Sequence, residues 1–257
     1  MRILITNDDG IHADGLEALE AIARQLSDDV WVCAPETEQS GASRALSLSE
    51  PVRVYQLGER RFTTTGTPTD CVMLAIHELI EGPRPDLVLS GVNRGANLAE
   101  DVSLSGTVAG AIEAMVQGVP GIALSQTGGP QREDYYQPAT VFAPGIIAKL
   151  VKTGWPNDVM ININFPNRSA AEIAAVEVTR QGFRDVHIRH VEKRTDLRGK
   201  AYYWIGYHQT LSQPDPGTDL RAIYEGRISV TPLHVDLTHA ATVHALKGVL
   251  GGAPPKR

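Results

Sequence analysis

The chain has 257 residues, 42% hydrophobic and 21% charged, enough for one large α/β core or a core with a smaller appended unit. A net charge of −6, with no Lys/Arg run longer than two, argues against polymeric nucleic acid as a partner. The start lacks a charged-then-apolar leader pattern and no apolar run nears the roughly 20 residues of a membrane helix, so we expect a cytoplasmic protein with no membrane partner, and Cys33 and Cys71 as core thiols.

Arg2-Ile3-Leu4-Ile5-Thr6 reads as a short strand running into Asn7-Asp8-Asp9-Gly10. Residues 16–26 have the spacing of an amphipathic helix, and Val30-Trp31-Val32-Cys33-Ala34 reads as a buried strand stopped at Pro35. A polar loop over 36–49 precedes a short hairpin, 51–57 with 61–65, that flanks the main sheet. Thr67-Pro68-Thr69-Asp70 starts a helix whose apolar positions are Val72, Leu74, Ala75, Leu79 and Ile80, and Gly82-Pro83 ends it. Further strands are expected at 86–90, 121–125 and 160–165. Helices lie between them at 107–117, closed by Gly118, and, after a polar segment over 126–137, up to residue 151.

This alternation predicts an α/β fold with a doubly wound, mainly parallel sheet and a catalytic core over residues 1–175. From residue 176 the chain becomes β-rich, with strands expected at 176–179, 183–190, 201–207 and 228–230 and a frayed tail over 251–257. Phe183, Tyr202, Tyr203, Trp204 and Ile205 would expose apolar edges in an isolated chain. Residues 176–257 are therefore expected to serve oligomerisation, with a homodimer as the smallest assembly.

Asp8 and Asp9 fall at the carboxyl end of the first strand, the edge at which open α/β sheets bind ligands. Adjacent carboxylates repel unless a cation lies between them, and Gly10 allows the turn that would bring both to one divalent ion. A solvated Asp-Asp-Gly turn is the competing reading. Ser40 could give a neutral oxygen to a hard cation, although Gln39-Ser40-Gly41-Ala42-Ser43 alone suits a solvated loop better. In Ser90-Gly91-Val92-Asn93-Arg94-Gly95-Ala96-Asn97, the amides of Asn93 and Asn97 suit Mg²⁺, Mn²⁺ or phosphate, and equally suit left-handed turns.

Ser105-Gly106-Thr107 opens a helix, where free N–H groups could meet an anion or Ser105 could be a plain cap. Arg94 is a candidate phosphate clamp, with a surface role favoured, and His12 reads better as a solvated loop residue than as a base. His187, His190, His208, His234, His239 and His244 lack metal-ligand spacing. No P-loop and no dinucleotide fingerprint after a strand occurs.

Ile3-Leu4-Ile5-Thr6-Asn7-Asp8-Asp9-Gly10, Ala34-Pro35 with Ser40-Gly41, Thr65-Gly66-Thr67-Pro68-Thr69-Asp70-Cys71-Val72, the 90–97 segment and Ser105-Gly106-Thr107-Val108 together resemble the survival protein SurE family of metal-dependent nucleotidases. Ile228-Ser229-Val230-Thr231-Pro232-Leu233 extends the resemblance over nearly the whole chain. It implies a Rossmann-like fold, exchanged carboxyl-terminal segments in a homodimer or tetramer, and hydrolysis of nucleoside 5′- and 3′-monophosphates, with short polyphosphate as a further substrate. It also implies one divalent cation per subunit, Mg²⁺ or Mn²⁺, on Asp8, Asp9, Ser40 and Asn93. Asp8 and Asp9 would be the catalytic pair, and Asn97, Ser105, Gly106 and Thr107 would bind the substrate phosphate. Leu104 departs from the family pattern, in which an aromatic residue frequently stands there.

Two alternatives also begin with acidic residues after a first strand. A haloacid-dehalogenase-like phosphatase would use Asp8 as nucleophile, but that class wants its carboxylates one residue apart. A non-enzymatic phosphoryl receiver domain needs an acceptor Asp after the third strand and a later Lys, where Ser90-Gly91 and Ser125-Gln126 stand.

Overall fold

The computed structural model describes residues 1–128, 134–184, 189–207 and 212–250. In chain order the elements are β1 (Arg2–Thr6), α1 (Asp14–Arg24), β2 (Asp29–Pro35), β3 (Val54–Gly58), β4 (Arg61–Thr64), α2 (Pro68–Leu74), β5 (Leu87–Arg94), α3 (Gly106–Val116) and β6 (Gly121–Gln126). There follow α4 (Gln137–Thr153), β7 (Met160–Phe165), β8 (Val176–Val178), β9 (Arg189–Thr195), β10 (Ala201–Tyr207), α5 (Asp219–Tyr224), β11 (Ile228–Leu233) and α6 (Ala240–Leu250).

Nine strands form one sheet in the order β3-β4-β2-β1-β5-β6-β7-β11-β8. From β4 to β7 every pairing is parallel, and β3 and β11 run antiparallel to their inner neighbours. The chain leaves β1 toward β2 and later returns on the other side as β5. The switch point of the topology therefore lies between β1 and β5, where such sheets open a crevice at their carboxyl ends.

Burial on both faces explains why the central strands read as apolar runs. Ile3, Ile5, Val30, Val32, Leu87 and Leu89 pack against Leu16, Leu19 and Ile22 of α1 and Ala143 and Ile147 of α4. The alternate residues Leu4, Trp31, Cys33 and Val88 face Cys71 and Val72 of α2 and Ala114 of α3 on the opposite side. Both cysteines are buried free thiols.

The expected hairpin exists and adds β3 to the edge of the main sheet through β4. Thr67 caps α2 in a reciprocal box, accepting from the Asp70 N–H while the Asp70 carboxylate accepts from the Thr67 N–H. Asp70 also accepts from the backbone and hydroxyl of Ser47 and so ties the long polar loop to the helix.

Three boundaries differ from expectation. The third strand does not stop at residue 90: after a register slip between Ser90 and Asn93 it pairs again, Asn93 with Ser125 and Arg94 with Gln126. Asn93 is thus a strand-end residue, not a loop residue. Of the strand expected at 183–190, Arg189 and His190 belong to β9, whereas the Arg184 N–H goes to the Glu100 carboxylate instead of a ladder. Residues 185–188, with His187, lie outside the described residues, as do 129–133 of the polar segment, 208–211 with His208, and the tail 251–257.

The third difference concerns the region after residue 175. β8 and β11 are built into the main sheet, and only β9, β10 and α6 leave it, the first two as an antiparallel ribbon. No residue of α6 is buried.

Candidate active site

Asn7-Asp8-Asp9-Gly10 turns at the switch point. Gly10 holds φ at +104°, and the Asn7 side chain donates to its carbonyl at 2.8 Å. The two carboxylates take different hydrogen-bond partners. Asp8 is buried against the start of α3, where the Thr107 hydroxyl donates to its Oδ1 at 2.6 Å. Gly106 is obligatory for that approach, since a Cβ there would come within 2.7 Å of the Asp8 Cβ. Asp9 is half-buried and accepts from the Arg94 backbone N–H at 3.1 Å.

Burial pushes the Asp8 carboxyl up to about 6, with Asp9 adding to the rise and the Thr107 hydrogen bonds opposing it. Asp9 is also raised, first by burial and then by Glu38, against the pull of Arg94. Two carboxylates resisting ionisation side by side form a place that a cation would stabilise. Among the described residues no group of three His, Cys, Asp or Glu is arranged for a metal. An ion here would rest on the two carboxylates and on neutral oxygens, a hard set suited to Mg²⁺ or Mn²⁺.

Asp8, Ser40, Asn93, Asn97 and Ser105 line one cavity of 340 Å³. The Asn93 amide nitrogen donates to the Gly95 carbonyl at 3.1 Å, which leaves its oxygen as the group to offer a cation. Ser40 is exposed and its hydroxyl donates to Glu38 at 2.8 Å. Asn97 is buried and fixed on all sides: its N–H meets Asn164 Oδ1, its amide nitrogen meets Ser125 Oγ, and its carbonyl accepts from Asn162 and Asn164. Ser105 caps α3 by accepting from the Val108 N–H at 3.0 Å.

Asp9, Gly106 and Thr107 lie outside that cavity wall. Asp9 lines a second, larger cavity of 910 Å³ with His12, Glu36, Glu38 and Tyr136, and Arg94 borders both. Thr107 is fully buried and its hydroxyl is given to Asp8. The helix amino terminus expected to meet a substrate anion thus already holds the Asp8 carboxylate. His12 is exposed, and Arg94 has its guanidinium 3.8 Å from Glu38.

Asn162 and Asn164 are residues without a motif. Their signal is two amides on one face of a buried strand, Met160-Ile161-Asn162-Ile163-Asn164-Phe165, where an unpaired amide would be costly. Arg184 and Asp101, also in the cavity wall, give no such signal because their pairing joins distant parts of the chain.

Residues 3–188 match the family model described as Survival protein SurE. The chain is 73% identical over 256 residues to the 5′-nucleotidase SurE of Phenylobacterium zucineum, covering 100% of both proteins. It is 67% identical over 260 residues to that of Caulobacter vibrioides, covering 100% of this chain and 99% of the relative. The crystal structure of the SurE protein from Aquifex aeolicus superposes with a TM-score of 0.85 at 37% identity, covering 97% of this chain and 99% of the other.

Proposed function

From the premise that the chain belongs to the survival protein SurE family, we propose how its residues carry out the activity that its relatives' names state. The protein is a 5′-nucleotidase, a phosphatase that hydrolyses nucleoside monophosphates to nucleoside and phosphate. The reading of the site rests on one observation: a buried carboxylate, Asp8, is held at a helix amino terminus beside a second carboxylate, in a cavity with Asn93, Asn97 and Ser105.

Asp8, Asp9, Asn93 and Ser40 would hold one divalent cation per subunit, Mg²⁺ or Mn²⁺. That ion, when bound, polarises a phosphoryl oxygen and lowers the pKa of water at the site. Thr107 keeps Asp8 Oδ1 in place, and the Arg94 backbone N–H does the same for Asp9 Oδ2. Ser40 would have to turn from Glu38 toward the ion.

For the phosphate, an Asn97 amide has two N–H groups, one of which goes to Ser125, and the other can meet a phosphate oxygen. The Ser105 oxygen accepts from Val108, so its own hydrogen can be donated to the ester. These donors reach a developing negative charge in a site fixed before substrate arrives. Both 5′ and 3′ esters, and short polyphosphate, present the same terminal phosphoryl group.

The ribbon β9–β10 and α6 support a homodimer, or a tetramer built from such dimers, in which these segments are exchanged. Trp204 and Ile205 are 59% and 78% exposed, surface that a partner would cover. Two free thiols suit the reducing cytoplasm, and no helix among the described residues is long and apolar enough to cross a membrane.

A panel of nucleoside 5′- and 3′-monophosphates, a sugar phosphate and tripolyphosphate, assayed with and without chelator, tests substrate class and metal together. Activity should vanish in chelator and return with Mg²⁺ or Mn²⁺. Rapid quench with labelled substrate should trap no phosphorylated enzyme and show no product burst, as attack by water requires. Full turnover in excess chelator, or label on Asp8, would overturn the reading.

A further inference from the structure

Arg184 stands in the wall of the 340 Å³ cavity that holds Asp8 and Asn97, yet the phosphate chemistry above makes no use of it. Its side chain is only 11% exposed. Nη1 lies 3.1 Å from Glu100 Oε1 and 2.8 Å from Asp101 Oδ2, and its backbone N–H donates to Glu100 Oε2 at 3.2 Å. The chain just before it is pinned as firmly. Buried Asp219 accepts from the N–H groups of Gly182 and Ala99, each at 2.8 Å, and the Gln181 side chain donates to the Ala99 carbonyl at 2.8 Å.

A guanidinium fixed in this way has little rotamer freedom left to lose on binding. Both carboxylates are met through Nη1, whereas the group carries five N–H donors and a flat face, so these pairs do not exhaust it. The same wall carries Leu104, a large apolar side chain left 38% exposed.

The cavity is of the size that takes a drug-sized ligand, on the order of 300 Å³ or more, well beyond a phosphate group alone. With Asp8, Asn93 and Ser40 on the cation and Asn97 and Ser105 on the phosphate, the wall that remains for the rest of the substrate is Gly41, Arg94, Ala96, Asp101, Leu104 and Arg184, in which Arg184 is the largely buried cation and Arg94 an exposed one. An apolar side chain and a flat cation in one cavity wall suit a nucleobase, and the N–H donors suit ribose oxygens.

We propose that Arg184, held by Glu100 and Asp101, is a specificity-determining residue that recognises the nucleoside moiety of the substrate. The inference rests on the nucleotidase reading, and its test separates the two. In metal-loaded enzyme, KM and kcat are measured for adenosine 5′-monophosphate, with inorganic phosphate as a competitive inhibitor that carries no nucleoside. Arg184→Ala should raise KM on the order of tenfold, change kcat far less, and leave the phosphate inhibition constant nearly where it was.

Arg184→Lys keeps a cation against Glu100 and Asp101 and guards against misfolding. It should show the same split, smaller. If Arg184→Lys raises the phosphate constant as much as KM, the residue only props the loop, and if it moves neither, the residue is idle; both results overturn the inference while leaving the nucleotidase reading intact. Unmodified enzyme that hydrolyses no nucleoside monophosphate with metal present would instead remove that reading.

Discussion

At the carboxyl edge of the sheet, Asp8, Asn97 and Asp219 are buried and each is hydrogen-bonded within its own chain. The ribbon β9–β10 and α6 are built the other way: Val191, Tyr203, Trp204 and Ile205 are exposed, and α6 buries nothing. Polar groups dominate the first region and apolar ones the second, the reverse of an ordinary interior and surface. The difference separates a site held by hydrogen bonds of its own chain from an arm that leaves apolar surface outward, which a second surface would cover in the proposed assembly. Changes at the edge should therefore strike chemistry, and changes on the arm should strike assembly.

The largest effect is expected from Asp8→Asn. Losing a carboxylate from the proposed cation site should cut kcat by about three orders of magnitude. The same change should raise the stability of the metal-free protein by about 1–3 kcal/mol at neutral pH, because burial lifts the Asp8 carboxyl from 3.8 to about 6 and so disfavours its charged form. Thermal unfolding in chelator checks it. A lower melting temperature would mean that the Thr107 hydrogen bond more than offsets the cost of burying the Asp8 charge, so that no cation is needed to stabilise the pair.

Thr107→Val should come next. It removes the 2.6 Å hydrogen bond to Asp8 while filling the same buried space. A group that orients a metal ligand is worth about 10- to 100-fold, so the fall should appear in kcat and in the metal concentration giving half activity. Were Thr107 a phosphate ligand instead, the substrate KM would carry the loss and metal affinity would not move.

Most of the inner sheet could be read from the chain, since β1, β2, β5, β6 and β7 are short apolar runs whose length and flanks have few other uses. Asp8, Asn93 and Ser105 could also be placed near one another, because each follows or ends a parallel strand and so belongs to one edge. The role of Thr107 could not. A hydroxyl at a helix start has the same local pattern whether it faces a ligand, caps the helix or holds a carboxylate 99 residues away. The start of the strand expected at 183–190 is a related case: the aromatic Phe183 suits a strand, but Glu100 captures the Arg184 N–H that a ladder would need.

On the arm, Trp204→Glu with Ile205→Glu puts two charges where apolar surface now faces outward. Light scattering at micromolar concentration should show a smaller mass than the unmodified protein. Activity should fall less than about tenfold, since neither side chain lines the cavity of Asp8. A loss of activity as large as that of Asp8→Asn would show that the edge is not finished within one chain and that the partner supplies part of the site.

The smallest effect is expected from Ser40→Ala, and it sharpens the comparison from within the edge itself. Ser40 is the exposed member of the proposed cation set, its hydroxyl given to Glu38 at 2.8 Å, whereas Asn93 has its amide already fixed by the Gly95 carbonyl. A ligand that must first leave another partner and give up side-chain freedom adds less than one held in place. Removing it should therefore weaken metal affinity only about two- to fivefold, against ten or more for Asn93→Ala. Titrating activity with Mn²⁺ in the two variants decides the order. If Ser40→Ala is the more damaging, the loop around residue 40 closes onto the ion more firmly than its exposure and its bond to Glu38 indicate, and that loop would join the finished part of the site.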